Sequence, residues 1–129
     1  MPVEIIVLGL SVVLLLVYIL TQSQTLGLGR GQAWLMSPRD DQPEHLDKLS
    51  ARAARMSRNF QETYPAFAAL ALALVVTGQA GGLGAAGAIV WFAARVVYIP
   101  LYLTGAPKLR TYAWMVSIIG LILMLIRLF

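Results

Sequence analysis

The chain has 129 residues, 59% of them hydrophobic and 12% charged, against about a quarter charged in an ordinary soluble domain. Ten Lys/Arg against six Asp/Glu leave it at +4, and the absence of cysteine excludes disulfides, thiolate metal sites and a cysteine nucleophile. The composition is that of a membrane protein, with too little polar chain left over for a separate soluble domain.

A span needs roughly 20 mainly apolar residues. Four stretches qualify, and they predict an all-α membrane protein: a four-transmembrane-helix bundle forming one domain over 1–129, with helices at about 3–21, 45–77, 83–104 and 109–128. The first stretch carries Glu4 where a secretion signal has a basic leader, and no small-x-small cleavage site precedes Thr25, so it is expected to remain as a helix. Its only polar interruptions are Ser11 and Tyr18, and no chemistry is assigned to it. Gln22 to Pro43, with several glycines, two prolines and Asp40-Asp41, reads as an irregular loop in which Trp34 anchors at headgroup level.

The second helix is expected to start in polar surroundings, with Leu46, Leu49, Ala53 and Met56 at helical spacing, and to run on into the bilayer. Arg55, Arg58, Asn59 and Glu62 fall at i, i+3, i+4 and i+7 on its face, and Pro65 predicts a bend one turn beyond Gln61. An ionisable residue at the centre of a membrane helix costs roughly 2.5–3.5 kcal/mol on insertion scales, so such a stripe usually faces a partner, a cavity or a ligand. Gly78–Gly84 is a short turn lacking the Lys-Ser/Thr of a phosphate loop, and Gly84/Ala88 and Ala69/Ala73 are small pairs that permit close helix approach.

In the third helix Arg95, Tyr98 and Tyr102 share a face, with Pro100 a second bend. At 1.5 Å per residue Arg95 lies roughly 12 Å from the helix end near Leu103 and Glu62 about 6 Å from Arg58, which puts both polar faces in one half of the bilayer. Lys108 and Arg110 open the fourth helix, whose body is apolar apart from Ser117. His45, with no ligand-spaced companion, reads as solvated, and no metal site is expected.

The cations Arg30, Arg39, Lys48, Arg52, Arg55 and Arg58 cluster before or at the mouth of the second helix, and Lys108 and Arg110 before the fourth; none lies between the second and third. The positive-inside rule then puts the first and third loops in the cytoplasm and both termini opposite, with Arg127 as an exception, in an inner or plasma membrane if the source is bacterial. Topology thereby accounts for the basic charge without nucleic acid. A polar face with Arg52, Arg55, Arg58 and Arg95 but only Glu62 as an acid calls for an anionic ligand. Arginine pairs bidentately with carboxylates, and Glu62 is placed to accept an ammonium group.

The run Arg55-Met-Ser-Arg58-Asn59-Phe-Gln-Glu62-Thr-Tyr-Pro65-Ala-Phe67 resembles a signature of the MAPEG family, the membrane-associated proteins in eicosanoid and glutathione metabolism. Arg95-Val-Val-Tyr98-Ile-Pro-Leu-Tyr102 followed by Gly105-Ala-Pro107-Lys-Leu-Arg110 is similar to the family's third helix and the start of its fourth. The resemblance covers the whole chain, in a compact bacterial-type form. It implies a homotrimer in membrane lipid that binds glutathione as thiol co-substrate between subunits, through Arg55, Arg58, Asn59, Glu62, Arg95, Tyr98 and Tyr102. It further implies Arg110 at the thiolate, with Thr111 or Tyr112 as alternative hydroxyl donors to sulfur. The implied activity is a glutathione transferase or peroxidase acting on apolar electrophiles or lipid hydroperoxides that arrive through the bilayer. Tyr98 stands where some members carry histidine, and the Pro107–Arg110 spacing is one residue longer than in the prostaglandin-synthase branch. Two other classes fit four short helices: a non-catalytic scaffold or lipid- or anion-binding protein of the same fold, and a small-molecule transporter. The small multidrug exporters place a glutamate midway along the first helix, where this chain has none.

Overall fold

The computed structural model describes residues 1–38 and 47–129, and the expectations that rest on Arg39, Asp40, Asp41, Pro43, His45 and Leu46 lie outside them. Five helices follow in chain order: α1 (Val3–Arg30), α2 (Gln32–Leu35), α3 (Lys48–Val76), α4 (Gly82–Leu103) and α5 (Pro107–Leu128). No strand occurs among the described residues. Three of the five, α1, α4 and α5, are long and apolar enough to cross a membrane. In α3 the charged first half, up to Glu62, leaves only the second half comparably apolar.

The expected irregular stretch from Gln22 is corrected in its first part, because α1 continues without a break to Arg30. Thr25 Oγ1 donates to the Thr21 carbonyl at 2.8 Å and so joins the helix instead of competing with it. The chain turns at Gly31, whose φ of 94° suits glycine, and α2 folds back so that Leu35 and Gln32 press on Gly27. The Arg30 guanidinium sits 5.0 Å from the centre of the Trp34 ring.

The helix faces explain the packing. On α1 the buried side chains are Glu4, Val7, Ser11, Leu14, Tyr18 and Thr25, a spacing of three, four and seven that makes one seam against α3 and α4, while Ile6, Leu10, Val13 and Leu16 stay outward. Ala53, Met56, Phe60, Phe67, Ala71 and Leu74 form the matching seam of α3, and Ala88, Trp91, Ala94, Tyr98 and Tyr102 that of α4. Where they meet, the rings interlock: Tyr18 stacks on Phe60 at 4.3 Å and Phe67 on Trp91 at 3.9 Å. Aromatic pairs of this kind are worth about 0.5–1.5 kcal/mol beyond the area they bury.

The most extensive helix pair is α4 with α5. A Cβ on Gly87 would lie 2.5 Å from the Gly120 carbonyl oxygen, and one on Gly120 would lie 2.7 Å from both Gly87 O and Trp91 N. The helices therefore touch backbone to backbone here. Of the small pairs read from sequence, Gly84 and Ala88 are buried, whereas Ala69 is exposed.

Asp47 starts α3, its Oδ1 accepting the Ser50 N–H at 2.7 Å. Hydrogen bonding from Ser50, side chain before backbone, holds the Asp47 carboxyl below the usual carboxylate range. A depressed carboxyl contributes stability that is present above its unfolded-state value and is lost as the pH falls through the folded-state value. Hydrogen-exchange protection of the Ser50 and Ala51 amides is thus expected to drop as the pH falls through that range. Asp47→Ala is expected to show the same loss at neutral pH.

Candidate functional site

Arg95 is fully buried in the seam of α4. Its Nη1 donates to Asn59 Oδ1 at 2.8 Å and its Nη2 to Thr63 Oγ1 at 2.7 Å, both on α3, while the Tyr18 hydroxyl of α1 donates to the Arg95 carbonyl at 2.6 Å. The guanidinium lies 5.0 Å from the Tyr98 ring centre and 5.8 Å from that of Phe60. Among the described residues its side-chain partners are neutral oxygens and π faces, and its Nε has no hydrogen-bond acceptor. A buried guanidinium without a carboxylate is an uncompensated charge, held by dipoles alone.

Beside it opens a cavity of about 260 Å³ lined by Asn59, Tyr98, Tyr102, Arg110, Thr111 and Trp114. Three helices contribute because the α4–α5 turn is tight. Gly105 adopts φ 75°, and Pro107, whose ring suits a first helical position, starts α5 at once. Arg110 therefore returns over the last turn of α4, its guanidinium 4.5 Å from the Tyr102 ring centre. Arg55 reaches the same residue from α3, its Nε donating to the Tyr102 hydroxyl at 3.2 Å. Arg52 is committed elsewhere: it sits over Gly105 and donates to the Leu103 carbonyl at 3.1 Å, a cation placed at a helix C-terminus.

The stripe on α3 does not act as one surface. At about 100° per residue Asn59 and Arg58 lie on opposite edges of it. Asn59 turns to α4, while Arg58 and Glu62 turn toward α1 and line a second, open cavity of about 470 Å³ with Gln22, Ala54 and Gln61. Both charged side chains are exposed there. Of the residues expected near sulfur, Arg110 and Thr111 line the smaller cavity. Thr111 Oγ1 already donates to the Pro107 carbonyl at 2.8 Å, and Tyr112 is 61% exposed on a different face with Pro107 and Lys108.

Sequence reasoning missed Thr63, Trp114, Gln22 and Gln61. Thr63 carried a legible signal, four residues from Asn59 and so on the same face; Gln22 carried none, because α1 was expected to end before it. Among the described residues no group of His, Cys, Asp and Glu is gathered as a metal site would require.

No curated protein and no solved structure matches the chain. The model of one family, described as the MAPEG family, matches residues 7–129. That match takes in every element of both cavities, and with three helices long and apolar enough to span a bilayer it makes this an integral membrane protein that belongs to the MAPEG family, a membrane family associated with glutathione-dependent transfer and peroxidase chemistry.

Proposed function

We propose that the chain is a membrane-embedded glutathione-dependent transferase or peroxidase acting on apolar electrophiles or lipid hydroperoxides. In this reading residues 1–129 form a single domain of four transmembrane helices, assembled as a homotrimer. One observation carries it: Arg55 and Arg110 converge on Tyr102 at the cavity, Arg95 lies behind it against Asn59 and Tyr98, and among the described residues no carboxylate lines that cavity. A tripeptide with two carboxylates supplies the missing negative charge.

The residues present fit glutathione in kind. Arg58 beside Glu62, with the carboxamides of Gln22 and Gln61, offers a cation, an anion and neutral donors to the zwitterionic end of a peptide. Arg110, beside Asn59, Tyr98 and Tyr102, offers a fixed cation to a thiolate, with Thr111 and Tyr112 next to it in sequence. Glutathione itself supplies the nucleophilic sulfur when bound. A thiol of pKa about 8.5 is a useful nucleophile at neutral pH once a neighbouring cation favours its ionised form. The two cavities lie on opposite edges of the α3 stripe, so one molecule touching both sets of residues is best accommodated between neighbouring subunits, which supports the trimer. The basic residues Arg52, Arg55, Arg58, Lys108 and Arg110 share one end of the bundle, which supports a cytoplasmic site with both termini opposite.

The test is equilibrium binding of glutathione to the detergent-purified protein, with thiolate absorbance monitored. Wild type is expected to bind saturably and to form thiolate. Arg58→Ala, which removes charge-assisted hydrogen bonds of about 1.5–3 kcal/mol, is expected to bind roughly tenfold to a hundredfold more weakly. Folded wild-type protein without saturable binding would end this reading. A second reading, a non-catalytic lipid- or anion-binding protein of the same fold, is favoured by the outward position of Tyr112 and the internal bond of Thr111. Saturable anion binding with no thiolate formed by glutathione would select it.

A further inference from the structure

A thiolate held in the cavity beside Arg110 is a hydrogen-bond acceptor as well as an anion, and the structure narrows which hydroxyl can donate to it. Thr111 has one hydroxyl hydrogen and gives it to the Pro107 carbonyl, inside its own helix. Tyr112 faces outward, away from the cavity. Tyr98 lines the cavity, but its ring lies under Arg95, about one helical turn, or 6 Å along the axis, before Tyr102. Tyr102 is 7% exposed, lines the cavity, and carries the Arg110 guanidinium over its ring at 4.5 Å. Its oxygen accepts from Arg55 Nε at 3.2 Å, which turns the hydroxyl hydrogen away from Arg55.

We infer that the Tyr102 hydroxyl donates the hydrogen bond to the sulfur of the bound thiol, with Arg55 setting its orientation and Arg110 as the accompanying cation. This inference rests on the glutathione reading above. On ionisation the thiol proton passes to water, and the sulfur anion left behind accepts the Tyr102 O–H; the phenol keeps its proton, and no other bond changes. Three helices thereby meet at Tyr102 of α4: Arg55 from α3 at its hydroxyl and Arg110 from α5 over its ring.

The experiment is a pH titration of thiolate absorbance for protein-bound glutathione, with the binding isotherm measured alongside. For Tyr102→Phe, binding is expected to weaken less than about tenfold, while the apparent ionisation midpoint of the bound thiol rises by about one pH unit, a tenfold loss of thiolate at a given pH. Arg55→Met keeps the hydroxyl but removes its orienting donor, and is expected to raise the midpoint by less than half as much. Thr111→Ala and Tyr112→Phe are expected to leave the midpoint in place. An unchanged midpoint in a Tyr102→Phe protein that still binds overturns the inference and leaves the glutathione reading standing. A rise confined to Thr111→Ala or Tyr112→Phe, or an equal rise in Arg55→Met and Tyr102→Phe, also overturns it. Wild-type protein that takes up no glutathione overturns the underlying reading, and this inference with it.

Discussion

Arg95→Met is expected to leave the ligand-free protein at least as stable as wild type while weakening glutathione binding about 30- to 100-fold. The two effects separate because the arginine is fully buried and its side chain meets only neutral groups. Burying a charge costs several kcal/mol, and replacing buried ionic groups by apolar ones of similar volume is often neutral or stabilising. Methionine follows the same path through the core. The Tyr18 bond survives the change, since it is made to the main-chain carbonyl. Asn59 and Thr63 lose a donor, but both are only partly buried and remain open to hydration. What the variant forfeits is the positive charge behind the cavity and the hold on Asn59, a cavity residue. Interactions of about 2.1–2.8 kcal/mol with an anionic ligand correspond to the stated loss in affinity. The measurement is a thermal melt in detergent without ligand, paired with a glutathione isotherm. A large fall in melting temperature would show that Arg95 is kept for the fold and not for the ligand.

Gly120→Val is expected to prevent the α4–α5 pair from closing. A Cβ there would lie 2.7 Å from Gly87 O and 2.7 Å from Trp91 N, and both are backbone atoms that no rotamer change can move aside. Relief requires the helices to separate, which opens the contacts around Trp91 and shifts Arg110 relative to Tyr102. Overpacking usually costs about 1–3 kcal/mol when neighbours adjust. Gly120→Ala is expected within that range and Gly120→Val beyond it, as loss of folded protein in size-exclusion chromatography. Gly87→Ala is expected to behave like Gly120→Ala, because its Cβ would meet Gly120 O at 2.5 Å. A Gly120→Val protein that melts like wild type would mean that the backbone contact is dispensable.

Much of the fold was legible because membrane helices announce themselves by length and apolarity. The ends of α4 and α5 fall within two residues of the expected ones, marked by Gly81 before α4 and by Pro107 at the start of α5. The end of α1 was misread: Gly27, Gly29 and Gly31 signalled a loop, yet only Gly31 breaks the helix. Glycine lowers helix propensity by only about 1 kcal/mol, and α1 runs on through Gly27, where Leu35 and Gln32 of α2 pack closely. The Gly87–Gly120 contact had no signature, since neither glycine belongs to a small pair within its own helix.

The sequence by itself determined the class of protein, its polar helix faces and its family likeness, because bilayer thickness and helical periodicity act on residues near one another in the chain. It put Arg55, Arg58, Asn59 and Glu62 on one stripe, and Arg95, Tyr98 and Tyr102 on another. Only the tertiary structure decided which members of each stripe meet. Asn59 joins Arg95, while Arg58 and Glu62 face the other way, toward Gln22. Arg52 is taken by a helix end, and Tyr102 is gripped by cations from two helices. Those pairings span some 8 to 51 residues of sequence and depend on how α3, α4 and α5 rotate about their own axes. Close packing at Phe60, Trp91 and the two glycines sets that rotation, and no local pattern in the chain encodes it.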